Sequence, residues 1–147
     1  ISASKQGAFP DILLIFARVK YRQMKKSVFT QSHTVQPQET AAAIGSGSLE
    51  VFSTPSLGAL MENTAIKAVE TELKAGETTV GAEIVIEHLR ASKVGEELTA
   101  TAEVKAHEGS SIFLYIEVKN EKNDVIGRAK HTRVVVDPKR FMARLGA

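Results

Sequence analysis

Cysteine and tryptophan are absent, and only 5% of the 147 residues are aromatic. Without cysteine the chain has no disulfide, thiolate nucleophile, zinc–cysteine site or iron–sulfur cluster, which fits a reducing compartment. Four histidines remain as nitrogen ligands, and no pair has the H-x-x-x-H spacing of a helical metal site. Four prolines and ten glycines are too few for a collagenous or broadly disordered chain. Long apolar runs are missing as well. The run Ile12-Leu13-Leu14-Ile15-Phe16-Ala17 is too short for a membrane span and short for a signal-peptide core, and no small-x-small cleavage site follows it.

A strong charge of one sign is also lacking. The formal net charge is +2, but residues 1–23 hold Lys5, Arg18, Lys20 and Arg22 against Asp11, so the rest of the chain carries −1. The basic pI belongs to that leader and makes no case for nucleic acid, and no RRM, KH or helix-turn-helix signature appears. Residues 1–23 read as an N-terminal extension or expression-derived leader, with a short helix expected over 12–22. Met24-Lys25-Lys26 resembles a natural start, and 24–147 reads as one domain.

What is present is periodic. Residues 26–35 are rich in β-branched and aromatic side chains and predict a strand. Gly45-Ser46-Gly47-Ser48 predicts a flexible loop. Thr54-Pro55 predicts a helix start, with Thr54 as cap and Pro55 at the first helical position, and the helix should run to about Lys74, before Gly76. Strands are expected near 78–90, 96–107, 111–120 and 124–136. Gly109-Ser110 and Asn123-Asp124 mark turns between the last three, and a short helix is expected from Pro138. One long helix with one antiparallel meander is a two-layer α+β domain.

At about 100° per residue, Gly58, Met61, Ala65, Ile66, Val69 and Leu73 share one arc of the central helix, and Glu62 falls inside it. Lys67, Glu70 and Lys74 fall opposite. A carboxylate on an apolar arc is either a general base or nucleophile, or a head group that turns to water or pairs with a cation. On the next strand, Val80, Ala82, Ile84, Ile86 and His88 alternate onto one face. Taken alone, His88 reads first as a core-edge imidazole bonded to a backbone carbonyl. Thr54 reads first as a helix cap, whose hydroxyl could also orient a water or carbonyl at the positive helix end.

Together these residues resemble a known family. Ser53-Thr54-Pro55-Ser56-Leu57-Gly58-Ala59-Leu60-Met61-Glu62, followed by Val80-Gly81-Ala82-Glu83-Ile84-Val85-Ile86-Glu87-His88, is similar to the hotdog-fold acyl-CoA thioesterases, nearest the fluoroacetyl-CoA thioesterase branch. The spacings from Thr54 to Glu62 and from Glu62 to His88 are those of the branch. Phe29-Thr30, Val35 and Thr40 match its first strand, and Gly127-x-x-x-His131-x-Arg133 matches its ending. The resemblance covers about 26–137. It implies a hotdog fold, a five-stranded antiparallel sheet wrapped around one long helix, and hydrolysis of a small or medium acyl-CoA to the free acid and coenzyme A.

By the same resemblance, Glu62 is nucleophile or general base, Thr54 assists the attacking group and His88 supports proton transfer. Gly81, His131 and Arg133 are placed with the substrate. The resemblance implies no metal and no cofactor apart from coenzyme A as part of the substrate. It implies a cytoplasmic homodimer, or a higher oligomer built from it, without nucleic-acid or membrane partners. Arg90, Lys93, Lys139, Arg140 and Arg144 could meet the coenzyme A phosphates, although each reads first as a solvated cation. His33 and His107 read as surface residues. The segment before the helix departs from the branch: Gly45-Ser46-Gly47-Ser48 stands where the fluoroacetyl-specific enzyme has an aromatic lid, which leaves the acyl group open.

Two other functions exist for a hotdog domain. A hotdog hydratase would need D-x-x-x-x-H, and the residues five after Asp11, Asp124 and Asp137 are Phe16, Ala129 and Met142. A non-catalytic acyl-CoA-binding hotdog protein is the remaining alternative.

Overall fold

A computed structural model describes residues 27–147, so the helix expected over 12–22 lies outside the described residues. Strand β1 (Val28–Thr34) is followed by a 3-10 turn (Pro37–Glu39), a one-turn helix α1 (Ala41–Ile44) and the long helix α2 (Thr54–Val69). Strands β2 (Thr78–His88), β3 (Glu97–Glu108), β4 (Ser111–Asn120) and β5 (Val125–Val136) then form the rest of one antiparallel sheet, and α3 (Pro138–Ala143) ends the chain. The strand order is β1-β3-β4-β5-β2, so β1 and β2 are the edges. The expected strands and both turns are present, and Gly109 and Asn123 take the left-handed conformations that tight turns need (φ 62° and 68°).

Helix α2 lies across the inner face of the sheet and buries Leu57, Leu60, Met61, Ala65, Ala68 and Val69 against Leu98, Ala100, Ala102, Ile112, Leu114, Ile116 and Ile126. Small residues set the separation. A methyl group on Gly127 would lie 2.7 Å from Leu57 Cδ2, so the β5 backbone can approach the helix only without a side chain there. Thr64 is fully buried and satisfied: its hydroxyl donates to the Leu60 carbonyl (2.7 Å) and accepts from Gln31 Nε2 (2.8 Å).

Several details differ from the sequence expectations. The cap of α2 is Ser53, whose Oγ accepts from Ser56 N at 3.1 Å, and Thr54 is already helical. The helix ends at Val69, not near Lys74. Its last turn tightens into a 3-10 turn (Glu70–Glu72), which brings Glu72 to Ser27 Oγ (2.7 Å) and His107 Nδ1 (2.9 Å). Ile66 is exposed, because the arc that meets the sheet is centred on Leu57, Met61, Thr64 and Ala68. Lys67 lies over the Phe29 ring (5.4 Å) and donates to Gln31 Oε1 (2.9 Å), so its stem covers apolar surface. Thr40 is not in β1; it caps α1, accepting from Ala43 N, and bridges to Phe52. His33 and His107 are not open surface residues, since each is half-buried against a glutamate, Glu39 and Glu72 respectively.

One irregularity matters for the site. The pairing of β2 with β5 shifts between Gly81 and Glu83. On the near side of this bulge Ile84 pairs with His131, and on the far side Gly81 pairs with Arg133. Paired residues in an antiparallel ladder share a face, so Gly81, Ile84, His131 and Arg133 all face the helix. Val80, opposite Val134, is therefore turned away from the face of Ile84 and Ile86 and not aligned with them.

Candidate active site

Two groups of polar side chains flank α2. The first stands at its N-terminus, where Ser53 performs the capping and leaves the Thr54 hydroxyl free. Thr54 Oγ1 lies 2.9 Å from His88 Nδ1. His88 is the last residue of β2, half-buried, and burial pushes its pKa below the ordinary 6.5, partly offset by the Arg90 backbone. Its Nε2 is covered and makes no hydrogen bond among the described residues. A threonine hydroxyl can donate or accept, so this contact does not by itself fix which nitrogen of the neutral ring carries the proton.

The second group is eight residues further along α2, about 12 Å along the axis. Glu62 Oε2 accepts from Arg133 Nη1 at 3.0 Å. Arg133 is held in turn by Thr79, through Nε to Oγ1 (2.8 Å) and Nη2 to the carbonyl (3.2 Å). His131 Nδ1 lies 2.7 Å from the Glu83 carbonyl, and Nε2 lies 3.1 Å from Arg133 Nη1. A carbonyl only accepts and a guanidinium only donates, so Nδ1 carries the proton and Nε2 presents its lone pair. Burial pushes the His131 pKa down and the Arg133 charge adds to that, while the bond to the Glu83 carbonyl and the Glu62 charge offset part of the shift. The ring is neutral, and the 3.4 Å approach of Nε2 to Glu62 Oε2 is a contact without an ion pair.

His131 and Arg133 are thus not open to substrate in this chain: their side chains are 1% and 6% exposed, while that of Glu62 is 41% exposed. They sit behind the carboxylate and orient it, and the arc position of Glu62 is that of a partly solvated, paired carboxylate. Gly81 supplies clearance, because any side chain there would collide with Glu62 Oε2. Sequence reasoning missed Thr79 and the Glu83 carbonyl, and only the β2–β5 register could have revealed them. Of the three expected catalytic residues, the single chain joins Thr54 to His88 and holds Glu62 apart from both.

A cavity of about 340 Å³ opens beside Thr54 and His88, bordered by Phe52, Ser53 and Arg90, with Ala41 and Ser46 from the segment before the helix. Among the described residues no group of three His, Asp or Glu side chains gathers as a metal site, and no helix is long and apolar enough to cross a membrane.

Comparison with known proteins gives the family and the fold. A family model described as fluoroacetyl-CoA-specific thioesterase matches residues 35–139. The chain belongs to this family. The fluoroacetyl-CoA thioesterase of Streptantibioticus cattleyicolor is 29% identical over 123 residues, covering 80% of this chain and 88% of that protein. A crystal structure of the fluoroacetyl-CoA thioesterase superposes with a TM-score of 0.75 at 28% identity, over 83% of this chain and 95% of that one. A Thermus thermophilus protein described as a thioesterase superfamily member has a TM-score of 0.76 at 22% identity, over 83% and 90% of the two chains, and shows the same fold. The fold is the hotdog fold, and the family is one of thioester hydrolases.

Proposed function

We propose that this chain is an acyl-CoA thioesterase that works as a homodimer, with each active site shared between two copies. The observation that carries the reading is the Thr54–His88 hydrogen bond at the N-terminus of α2, beside a cavity, in a chain that also presents a carboxylate clamped by Arg133. Water or Glu62 attacks the thioester carbonyl, the C–S bond breaks, and the products are the free acid and the coenzyme A thiol. His88 moves the proton and the Thr54 hydroxyl orients the attacking oxygen. Arg133, with Thr79 and His131 behind it, positions Glu62, and Gly81 keeps the strand clear of it.

Shared sites follow from distance. Within one chain, Glu62 and the Thr54–His88 pair lie about 12 Å apart along α2. A two-fold axis that runs two helices antiparallel places Glu62 of one copy opposite the Thr54–His88 pair of the other. Edge strand β2 supports such an axis, since its outer edge pairs with no strand among the described residues and Val85, Ile66 and Leu89 are exposed hydrophobic residues. A crystal structure of a single-residue variant of the fluoroacetyl-CoA-specific thioesterase holds fluoroacetate and CoA, with 28% identity and a TM-score of 0.73 to this chain, over 80% of this chain and 99% of that one. That complex supports coenzyme A as the carrier here. A cytoplasmic location is the compartment we propose for work on such a substrate.

The test is free-thiol release from a panel of acyl-CoA thioesters by the purified protein. Turnover that depends on Glu62 and His88 is expected. Binding of acyl-CoA with no thiol release would favour the non-catalytic alternative.

A further inference from the structure

Within one chain, the residues lining the cavity beside Thr54 and His88 include one cation, Arg90, and no acidic side chain. The backbone there is fixed, because the amides of Leu89 and Arg90 both bond to the Ile126 carbonyl, at 2.8 and 3.2 Å. The Arg90 side chain is exposed and has no ion-pair partner among the described residues. The N-terminus of α2 opens at the same place. Acidic residues usually occupy the first turn of a helix, but α2 has none there, so its positive end is left uncompensated. Arg90 and the helix end therefore favour a negative group in one small volume.

In the dimer proposed above, Glu62 of the other copy faces Thr54 and His88, which leaves Arg90, two residues further on, without a counter-charge. The thioester is neutral at its reacting end, so a negative group for Arg90 comes from elsewhere in the substrate. The coenzyme A phosphates are separated from sulfur by the whole pantetheine arm. Arg90 Cα is within about 7 Å of His88 Cα, two residues away. Arg90 lines the cavity of Thr54 and His88, so a guanidinium turned into it would meet atoms a few bonds from the carbonyl, on the acyl side. Phe52, Val51 and Leu89 provide apolar walls for the intervening methylenes. Resting on the thioesterase reading, we infer that Arg90 is a specificity-determining residue that receives the terminal carboxylate of a short dicarboxylic acyl group, such as succinyl or glutaryl. A planar fork against a carboxylate is the geometry for which arginine is suited.

The experiment compares kcat/KM for succinyl-CoA, glutaryl-CoA and uncharged butyryl-CoA in the parent and in Arg90→Gln. The parent should prefer a carboxylate-bearing substrate over butyryl-CoA by about ten-fold or more, the scale of one charge-assisted pair. Arg90→Gln should cut that ratio at least ten-fold, and Arg90→Lys should restore part of it. A parent that prefers butyryl-CoA overturns the proposal. So does a loss in Arg90→Gln that falls equally on all CoA esters and vanishes with the matching pantetheine esters, since that places the guanidinium on phosphate.

Binding separates failure of this inference from failure of the thioesterase reading. A coenzyme A thioether with a terminal carboxylate is compared by calorimetry with its uncharged counterpart. A preference for the carboxylate that Arg90→Gln abolishes supports the role of Arg90 even if no thioester is cleaved. Equal binding of the two thioethers contradicts that role even if thioesters are cleaved.

Discussion

The two polar groups along α2 are built on opposite plans. Around Glu62 every position is determined: Arg133 has three protein partners, its imidazole neighbour His131 has one tautomer, and both are buried. Around His88 little is fixed: one hydroxyl partner, an unbonded Nε2 and a cavity on one side. A group that must hold a carboxylate in one orientation benefits from rigid donors, and a group that must pass a proton needs nitrogens not already committed. In the proposed mechanism the difference separates the holding of charge, at the middle of α2, from the movement of protons, at its N-terminus.

Breaking the holding half should have the largest effect. Glu62→Gln removes the charge and the basic oxygen, and turnover should fall by about 10²-fold or more. The fold should survive with a lowered melting temperature, because Arg133 loses its counter-charge but keeps Thr79. A variant that hydrolyses acyl-CoA at the parent rate would remove Glu62 from the chemistry. Next is Arg133→Met, which leaves Glu62 in place without its clamp. Here kcat should fall by about ten-fold with KM little changed, and stability should drop by about 2 kcal/mol as polar groups of Thr79 and His131 lose their partner. A change confined to KM would instead place Arg133 on the substrate.

Acid should affect both halves. Burial holds His88 and His131 below 6.5, so between their lowered values and 6.5 the unfolded chain binds more protons than the folded one. The stability from keeping them neutral is present above 6.5 and is lost as pH falls below it. Melting temperature should decline from pH 7 towards pH 5, with a shallower decline in His131→Asn; an unchanged slope in that variant would show that His131 does not contribute. The smallest effect separates capping from chemistry. Ser53→Ala should lose about 1 kcal/mol of stability with modest loss of turnover, and Thr54→Val should lose turnover with little change in stability. Interchanged outcomes would restore Thr54 as the cap.

The meander was legible in the sequence because β-branched alternation and turn residues are local signals. Gly109 and Asn123 mark their own turns. Family resemblance singles out Thr54, Glu62 and His88 as candidates, and the helix position singles out Glu62 as well; the structure joins Thr54 to His88. The cap was misread because Ser53-Thr54-Pro55 offers two capping hydroxyls in a row, and proline is accepted in the first turn with either. The face of Val80 was misread because alternation assumes an unbroken ladder, and nothing in Gly81-Ala82-Glu83 announces a bulge. The burial of Arg133 was invisible for a related reason: its partner Thr79 is 54 residues away, and only strand register joins them. Local chemistry reads well from sequence, whereas support that crosses the sheet does not.

Whether the two halves meet only across a dimer can be measured directly. Purified Glu62→Gln and His88→Ala proteins, each inactive, are mixed, dissociated and reassembled, and thiol release is assayed. Half of the randomly paired dimers contain one copy of each, and each of those has one site with both Glu62 and His88 intact, so activity should return to about a quarter of the parent value. If the mixture stays as inactive as its components while mixed dimers are shown to form, Glu62 and His88 serve the same chain and the shared-site account is wrong.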